Sequence, residues 1–154
     1  MPAIICTACK RLQRIPTKKA KLLPGDNTPY VCSADCVLKL IHKAEKKNDQ
    51  PEIPSGSIEN NQWDPNQRPA WRSLFEERFA RWLMSQQIAF HYEHYVFNVG
   101  DGFYIPDFYL PQSGLFIETK GLWRMGQKKK FGNFKRQHPS IPILVVSWLI
   151  QKDF

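Results

Sequence analysis

Apolar residues in the second half of the chain recur at two periods. Phe75, Phe79, Trp82 and Leu83 fall on one stripe at helical spacing, and Ser73 stands where an N-cap belongs, so a helix is expected from there to about Gln87. Ile88 to Phe97 is rich in aromatic residues and reads as a strand. After the turn Gly100-Asp101-Gly102, Phe103 to Leu110 reads as a second strand. After Pro111-Gln112-Ser113-Gly114, Leu115 to Lys120 reads as a third. Residues 124–137 are basic and read as a helix. Pro142 to Trp148 is short and nearly continuously apolar, as a buried central strand would be. Helix, three strands, helix, strand predicts a small α/β sandwich over residues 72–154.

The N-terminal part follows a different logic. Cys6-x2-Cys9 and Cys32-x3-Cys36 are separated by 22 residues. In a reducing cytosol two close pairs read as a zinc site before they read as disulfides. Zinc takes four soft ligands in a tetrahedron, and two short knuckles supply them without strain. Ser33 is a good N-cap for the run Val37 to Lys43, which places Cys36 in the first turn of a helix, where the dipole favours a thiolate. A knuckle followed by a knuckle at a helix start suggests a treble-clef or related zinc finger over residues 1–47, with a structural Zn²⁺. Residues 48–71 are polar and proline-rich and read as a linker, with Trp63 and Trp71 anchoring its far end.

Charge narrows the partners. The chain of 154 residues carries a formal +8, distributed as +7 over residues 1–47, −3 over 48–71 and +4 over 72–154. The loop of the zinc module holds Lys18, Lys19 and Lys21, and its helix ends in Lys43, Lys46 and Lys47. A clustered basic surface attracts polyanions, and nucleic acid is the commonest in a cytosol. With 42% hydrophobic residues the chain can bury a core, which excludes wholesale disorder. Apolar runs such as Ile141 to Val146 are far too short to span a membrane, and the first residues do not read as a signal peptide. A cytoplasmic protein without a membrane partner is expected.

The chemistry lies in two strands. Asp107 in Ile105-Pro106-Asp107-Phe108-Tyr109-Leu110, and Glu118 and Lys120 in Phe116-Ile117-Glu118-Thr119-Lys120-Gly121, are charges inside otherwise apolar segments. Alternation puts Glu118 and Lys120 on one face, and a hairpin would bring Asp107 beside them. Burying such charges unpaired is costly. Two carboxylates suit Mg²⁺ or Mn²⁺, and such an ion activates water and stabilises charge on a phosphate. A neighbouring lysine can help the water or the transition state. These are parts for phosphodiester hydrolysis.

Pro106-Asp107 with Glu118-Thr119-Lys120 resembles the PD-(D/E)xK nuclease superfamily. Pro106 to Pro111 and Gly114 to Trp123 together resemble the phage endonuclease I family of four-way-junction resolvases. Arg136-Gln137-His138-Pro139, Ile143 to Val146, Ser73 to Glu77 and Ile88 to Glu93 fit the same family. The resemblance covers roughly residues 72–148 and implies a restriction-endonuclease-like fold, a small mixed sheet flanked by helices, here preceded by the zinc-binding module. The family also uses a glutamate on the first helix. Glu76 shares a face with Phe79 and Leu83, while Glu77 points away and can pair with Arg81, so Glu76 is the expected metal ligand. The segment between Phe90 and Asp107 is shorter than in the family, where this region helps form a domain-swapped dimer. The N-terminal module instead resembles the cysteine-rich start of some phage recombination proteins.

The resulting expectation is a Mg²⁺-dependent endonuclease cutting branched DNA, acting as a homodimer because two strands must be cut symmetrically. Asp107, Glu118 and Glu76 would hold the metal, Lys120 would assist, Cys6, Cys9, Cys32 and Cys36 would hold Zn²⁺, and Arg124, Lys128, Lys129, Lys130, Lys135 and Arg136 would grip phosphates. Two other readings are a nicking or restriction-like enzyme on linear duplex and a non-catalytic zinc-containing DNA-binding adaptor. His91, His94 and His138 read as packing or surface histidines, and the aromatic residues of 90–109 as core, with Tyr95 and Tyr104 left open between core and stacking.

Overall fold

The computed structural model describes residues 3–17, 29–54, 57–59 and 71–154; Lys18, Lys19, Lys21 and Trp63 lie outside them. In chain order the elements are β1 (Ala3–Ile5), β2 (Leu12–Arg14), α1 (Ala34–Lys47), β3 (Ile58–Glu59), α2 (Leu74–Ser85), β4 (His91–Tyr92), β5 (Tyr95–Asn98), β6 (Phe103–Tyr104), β7 (Phe108–Leu110), β8 (Leu115–Lys120), α3 (Met125–Gln137), β9 (Ile143–Ser147) and a closing 3-10 helix, Trp148–Asp153. Among the described residues no helix is long and apolar enough to cross a membrane.

Both expected caps form. Ser33 is extended and its Oγ accepts the Cys36 N–H at 3.3 Å, starting α1. Ser73 is likewise extended, and its Oγ accepts the Glu76 N–H at 3.1 Å, starting α2. Each cap satisfies one of the backbone donors that a helix start leaves open. Asn48 closes α1 in the left-handed region (φ 51°) and returns its N–H to the Glu45 carbonyl.

The strands depart from expectation in three places. The run Ile88 to Phe97 is not one strand: β4 and β5 flank a break at Glu93 and His94, where Glu93 is left-handed with φ 46°. The run Phe103 to Leu110 is likewise split around Ile105, Pro106 and Asp107, because proline has no N–H for a ladder. β3, inside the stretch read as linker, pairs antiparallel with β5, Ile58 opposite Val96.

The principal sheet runs β4-β7-β8-β9, antiparallel except for the parallel pair β8–β9. The central positions belong to β7 and β8. β9 sits at the end of that order, which corrects the expectation of a central strand, although all five of its residues are buried. Its outer neighbour is the segment before α1: Tyr30 bridges Val145 in parallel, and the Val145 N–H donates to the Pro29 carbonyl at 3.2 Å. A second sheet has the order β3-β5-β6. The β7–β8 turn needs Gly114, whose φ is +66° and whose added Cβ would lie 2.6 Å from Pro51 Cδ.

Apolar side chains cover both faces of the principal sheet. On one face Phe75, Phe79 and Leu83 of α2 meet Phe108, Ile117, Leu144 and Val146, and this layer continues into Cys6, Val31, Cys36, Val37 and Ile41. On the other, Phe131 and Phe134 of α3 meet Phe97, Tyr104, Phe116 and Val145. Phe90, Tyr92, Phe97 and Phe108 are buried core, as expected, and Tyr104, which the sequence left open, is buried as well. Phe79 is fully buried against Phe108 at 5.2 Å between ring centroids. Truncating such a ring to alanine costs about 3–5 kcal/mol.

Candidate active site

The register of β7 on β8, Phe108 opposite Ile117, brings Asp107 level with Glu118. Along β8, Leu115 and Ile117 turn toward the α2 layer and Phe116 toward the α3 layer, so Glu118 and Lys120 share the α3 side. Lys120 Nζ lies 2.6 Å from Glu118 Oε1 and 5.6 Å from the centroid of the Trp123 ring. Glu118 Oε2 accepts the Tyr104 hydroxyl at 2.5 Å. Asp107 Oδ2 accepts two bonds from Thr119, its backbone N–H and its hydroxyl, each 2.7 Å.

Glu76 stands in the first turn of α2, where the helix dipole favours an anion. Its Oε2 accepts the Tyr92 hydroxyl at 2.5 Å and the Arg72 backbone N–H at 3.2 Å, and its Oε1 accepts the Ser73 hydroxyl at 3.0 Å. Glu77 points elsewhere and pairs with Arg81 at 2.7 Å, so the two adjacent acids take the separate orientations expected from the helix stripe.

Glu76, Asp107, Glu118 and Lys120 line one pocket of about 440 Å³, with Arg72, Glu93, Phe103, Tyr104, Ile105, Trp123, Gln127 and Lys130 completing its wall. Burial, then the charge of Glu118, holds the Asp107 carboxyl well above the usual carboxylate range. Burial also raises Glu118, against the pull of Lys120. Lys120 is raised: burial opposes its charge, but Glu118 and Asp107 more than compensate. Burial, then Glu118, pushes the Tyr104 hydroxyl well up, keeping it a proton donor. Three buried carboxyls sharing one pocket with a single half-buried ammonium from β8 leave an unmet demand for positive charge. The donors are all hard oxygens, so the residues fit a small divalent cation such as Mg²⁺ or Mn²⁺.

Of the basic residues expected to grip phosphates, the structure brings Lys130 to this pocket. Lys129 pairs with Asp101 at 2.7 Å, Arg136 bonds Asn133, and Arg124 stands exposed at the N-cap of α3. Lys128 and Lys135 lie half-buried on the same helix. Phe131 and Phe134, which bury α3, decide which way each of these side chains faces.

The second constellation is the cysteine tetrad. The four Sγ atoms all lie within 4.8 Å of one another, and none is bridged. Cys32 Sγ is 3.5 Å from both Cys9 Sγ and Cys36 Sγ. A tetrahedron of thiolates at about 2.3 Å from zinc has edges of about 3.8 Å, so the cluster fits a structural Zn²⁺. The β1–β2 ribbon carries the first knuckle, and the Ser33 cap sets the second.

Sequence reasoning missed Arg72, Glu93, Tyr104 and Trp123 as residues of the pocket, and Tyr92 as the partner of Glu76. Glu93 carried a usable signal, a charge within an aromatic run, the same signal that marked Asp107, Glu118 and Lys120. Tyr92 and Tyr104 carried none, because a buried tyrosine in a strand is ordinary core. His138 packs on Phe97 and Phe134 and its Nε2 meets the Asn98 carbonyl, a packing role as expected.

The family model for phage endonuclease I matches residues 58–149. Endonuclease I of Escherichia phage T7 is 41% identical over 81 residues, which make up 50% of this chain and 54% of that protein. Endodeoxyribonuclease 1 of Enterobacteria phage T3 is 43% identical over 81 residues, 50% of this chain and 53% of that protein. The chain thus spans about half the length of the curated relatives it matches. No solved structure matches the chain at a significant level.

Proposed function

The chain belongs to the phage endonuclease I family, and on that premise we propose that it is a metal-dependent endodeoxyribonuclease that resolves four-way DNA junctions. The observation that carries the reading is the convergence of Glu76, Asp107, Glu118 and Lys120 on one pocket. Asp107 and Glu118, with Glu76, would hold Mg²⁺ or Mn²⁺, and the ion would supply a polarised water and neutralise charge on the scissile phosphate. Thr119 fixes Asp107 through two hydrogen bonds, and Tyr92 and Tyr104 fix Glu76 and Glu118. Orientation of this kind from behind the ligands is what keeps carboxylates preorganised. Lys120 keeps its proton beside Glu118, and from there it stabilises charge developing on the phosphate or orients the attacking water. Lys130 and the other basic residues of α3 supply phosphate affinity, which carries no sequence information and suits a substrate known by its shape. The cysteine tetrad holds a structural Zn²⁺ and adds DNA affinity or substrate choice. The enzyme acts as a homodimer in the host cytoplasm, placing two cuts symmetrically.

The direct test is cleavage of a labelled four-way junction beside a linear duplex of the same sequence, with Mg²⁺ or EDTA. Paired symmetric nicks on the junction alone, abolished by EDTA, are expected. Equal cutting of both DNAs would keep a nuclease and remove junction specificity. Binding without cutting under any divalent metal would leave a DNA-binding adaptor.

A comparison of neighbours tests the ligand set. Glu76→Ala is expected to lower the cleavage rate by about 100-fold or more, in line with losing an oriented metal contact. Glu77→Ala loses the ion pair with Arg81, whose side chain is largely in solvent, and should change stability by less than about 0.5 kcal/mol. Cleavage rates and thermal midpoints of the two variants, side by side, decide it; comparable rate losses would refute the assignment of Glu76.

A further inference from the structure

Arg72 and Glu93 form an ion pair on the wall of the pocket, Nε to Oε1 at 2.9 Å. Its two halves are unlike. The Glu93 side chain is 14% exposed and that of Arg72 is 68% exposed. The buried acid is thus the anchor, and the guanidinium is what faces outward. Pairing through Nε leaves the two Nη groups at the far edge of the fork, the geometry that takes a phosphate bidentately.

Both backbones are pinned by the catalytic groups themselves. The Arg72 N–H donates to Glu76 Oε2 at 3.2 Å, and preceding Trp71 stacks edge-on against Tyr92 at 4.7 Å. Glu93 sits in the left-handed region, which a residue with a Cβ adopts at a cost, and its N–H donates to the Asp107 carbonyl at 2.8 Å. An ion pair with one partner largely in solvent adds little to stability, so stability alone does not account for this strain. What the strain achieves is placement: the break between β4 and β5 delivers a carboxylate into the mouth of the site. Glu76, Asp107 and Glu118 already repel a polyanion, and an uncompensated Glu93 would add to that. With Arg72 bound to it, that charge is offset, and the wall of the same pocket carries the cations of both Arg72 and Lys130.

Building on the nuclease reading above, we propose that Arg72 binds a backbone phosphate next to the scissile one, and that Glu93 is the positioning residue that holds its guanidinium at the mouth of the pocket. The ligand class is the nucleic-acid phosphodiester, whatever the base sequence.

The test measures binding of a labelled four-way junction and a labelled linear duplex by fluorescence anisotropy with no Mg²⁺ added and the zinc left in place, so that no cleavage is involved. Each lost phosphate contact lowers the slope of log affinity against log salt by about 0.9, so between about 50 and about 200 mM salt the deficit of Arg72→Ala relative to wild type should shrink about 3.5-fold. Arg72→Lys keeps a cation and should keep the slope while losing the fork. Glu93→Gln should weaken binding in the wild-type background yet add nothing in the Arg72→Ala background, because its effect passes through the arginine. A wild-type slope in Arg72→Ala, or a Glu93→Gln penalty undiminished without the arginine, would overturn the proposal. Thermal midpoints accompany each variant. Should Glu93→Gln unfold, the contrast of Arg72→Ala with Arg72→Lys, on an exposed side chain, still decides. If wild type cuts with Mg²⁺ but Arg72→Ala keeps the full slope, this inference alone falls. If wild type cuts nothing while the slope difference stands, the nuclease reading falls and the phosphate site remains.

Discussion

Replacing Asp107 with asparagine is expected to abolish cleavage while leaving the protein as stable as before, or more so. Asparagine keeps the size of aspartate, and its carbonyl oxygen can accept the two bonds from Thr119 that Asp107 Oδ2 accepts. What it lacks is the negative charge that would hold a divalent cation. Loss of such a ligand removes several kcal/mol of transition-state stabilisation, a rate loss of about 10³-fold or more. Stability moves in the other direction. Asp107 is 6% exposed, and burial and Glu118 hold its carboxyl well above the usual range. An acid raised in the folded state gives its full stability below its unfolded pKa, about 4, and loses it as pH rises through the folded value. Without added Mg²⁺ and with the zinc in place, therefore, wild type should lose stability from pH 4 upward relative to Asp107→Asn, and the gap in thermal midpoint should close again in acid. Mg²⁺ should raise the midpoint of wild type by mass action and leave the variant unmoved. Cleavage rates with Mg²⁺, and midpoints across pH with and without it, test both halves. A variant that still cuts would remove Asp107 from the metal site.

The legibility of this chain in its sequence follows physical lines. Caps and helices were readable because Ser33 and Ser73 each precede an apolar stripe with helical period, a local signal that tertiary packing reinforces. β8 was readable because its charges, Glu118 and Lys120, interrupt an otherwise apolar strand, and alternation puts both on one face, where they meet at 2.6 Å. The breaks at Glu93 and at Ile105–Asp107 were not, since a strand interrupted for the sake of a site has the composition of a continuous one. Pro106 marked the second break, and in hindsight the lone acid at Glu93 marked the first. The place of β9 in the sheet was also hidden: an apolar run declares burial on both faces but not which strand lies beyond it. Here the neighbour is Pro29–Tyr30, brought by the cysteine module from more than a hundred residues away in the chain. The two tyrosines that orient Glu76 and Glu118 could not be told from core, because they are core at one end and site at the other.

That long-range contact carries the second large expected effect. Removing zinc, by Cys36→Ala or by a chelator in the presence of a reductant, should unfold the N-terminal part and reduce cleavage with it. Cys6 and Cys36 belong to the apolar layer that holds Phe75 and Phe79 of α2, the helix that carries Glu76. Pro29 and Tyr30, just ahead of the second knuckle, bond to β9, and Asp153 accepts the Ala34 N–H at the start of α1. A disordered tetrad therefore strips the cover from one face of the sheet instead of releasing an independent bead. Without metal the thiols oppose one another: burial works to raise Cys6, but backbone N–H bonds from Cys9, Ala8 and Cys32 outweigh it and lower it to about 6. Burial, then hydrogen bonding to Cys9, Cys36 and Cys6, pushes Cys32 up to about 12, so zinc must displace protons to bind and its hold should weaken in acid. Structural zinc is worth about 10–16 kcal/mol to small zinc domains. If about 4 kcal/mol of that reaches the cooperative unit, the thermal midpoint falls by about 8–16 °C. Wild type should contain close to one zinc per chain by elemental analysis and Cys36→Ala almost none, with midpoint and cleavage falling together. A zinc-free protein that keeps its midpoint and its cleavage rate would show that the tetrad neither binds structural zinc nor supports α2.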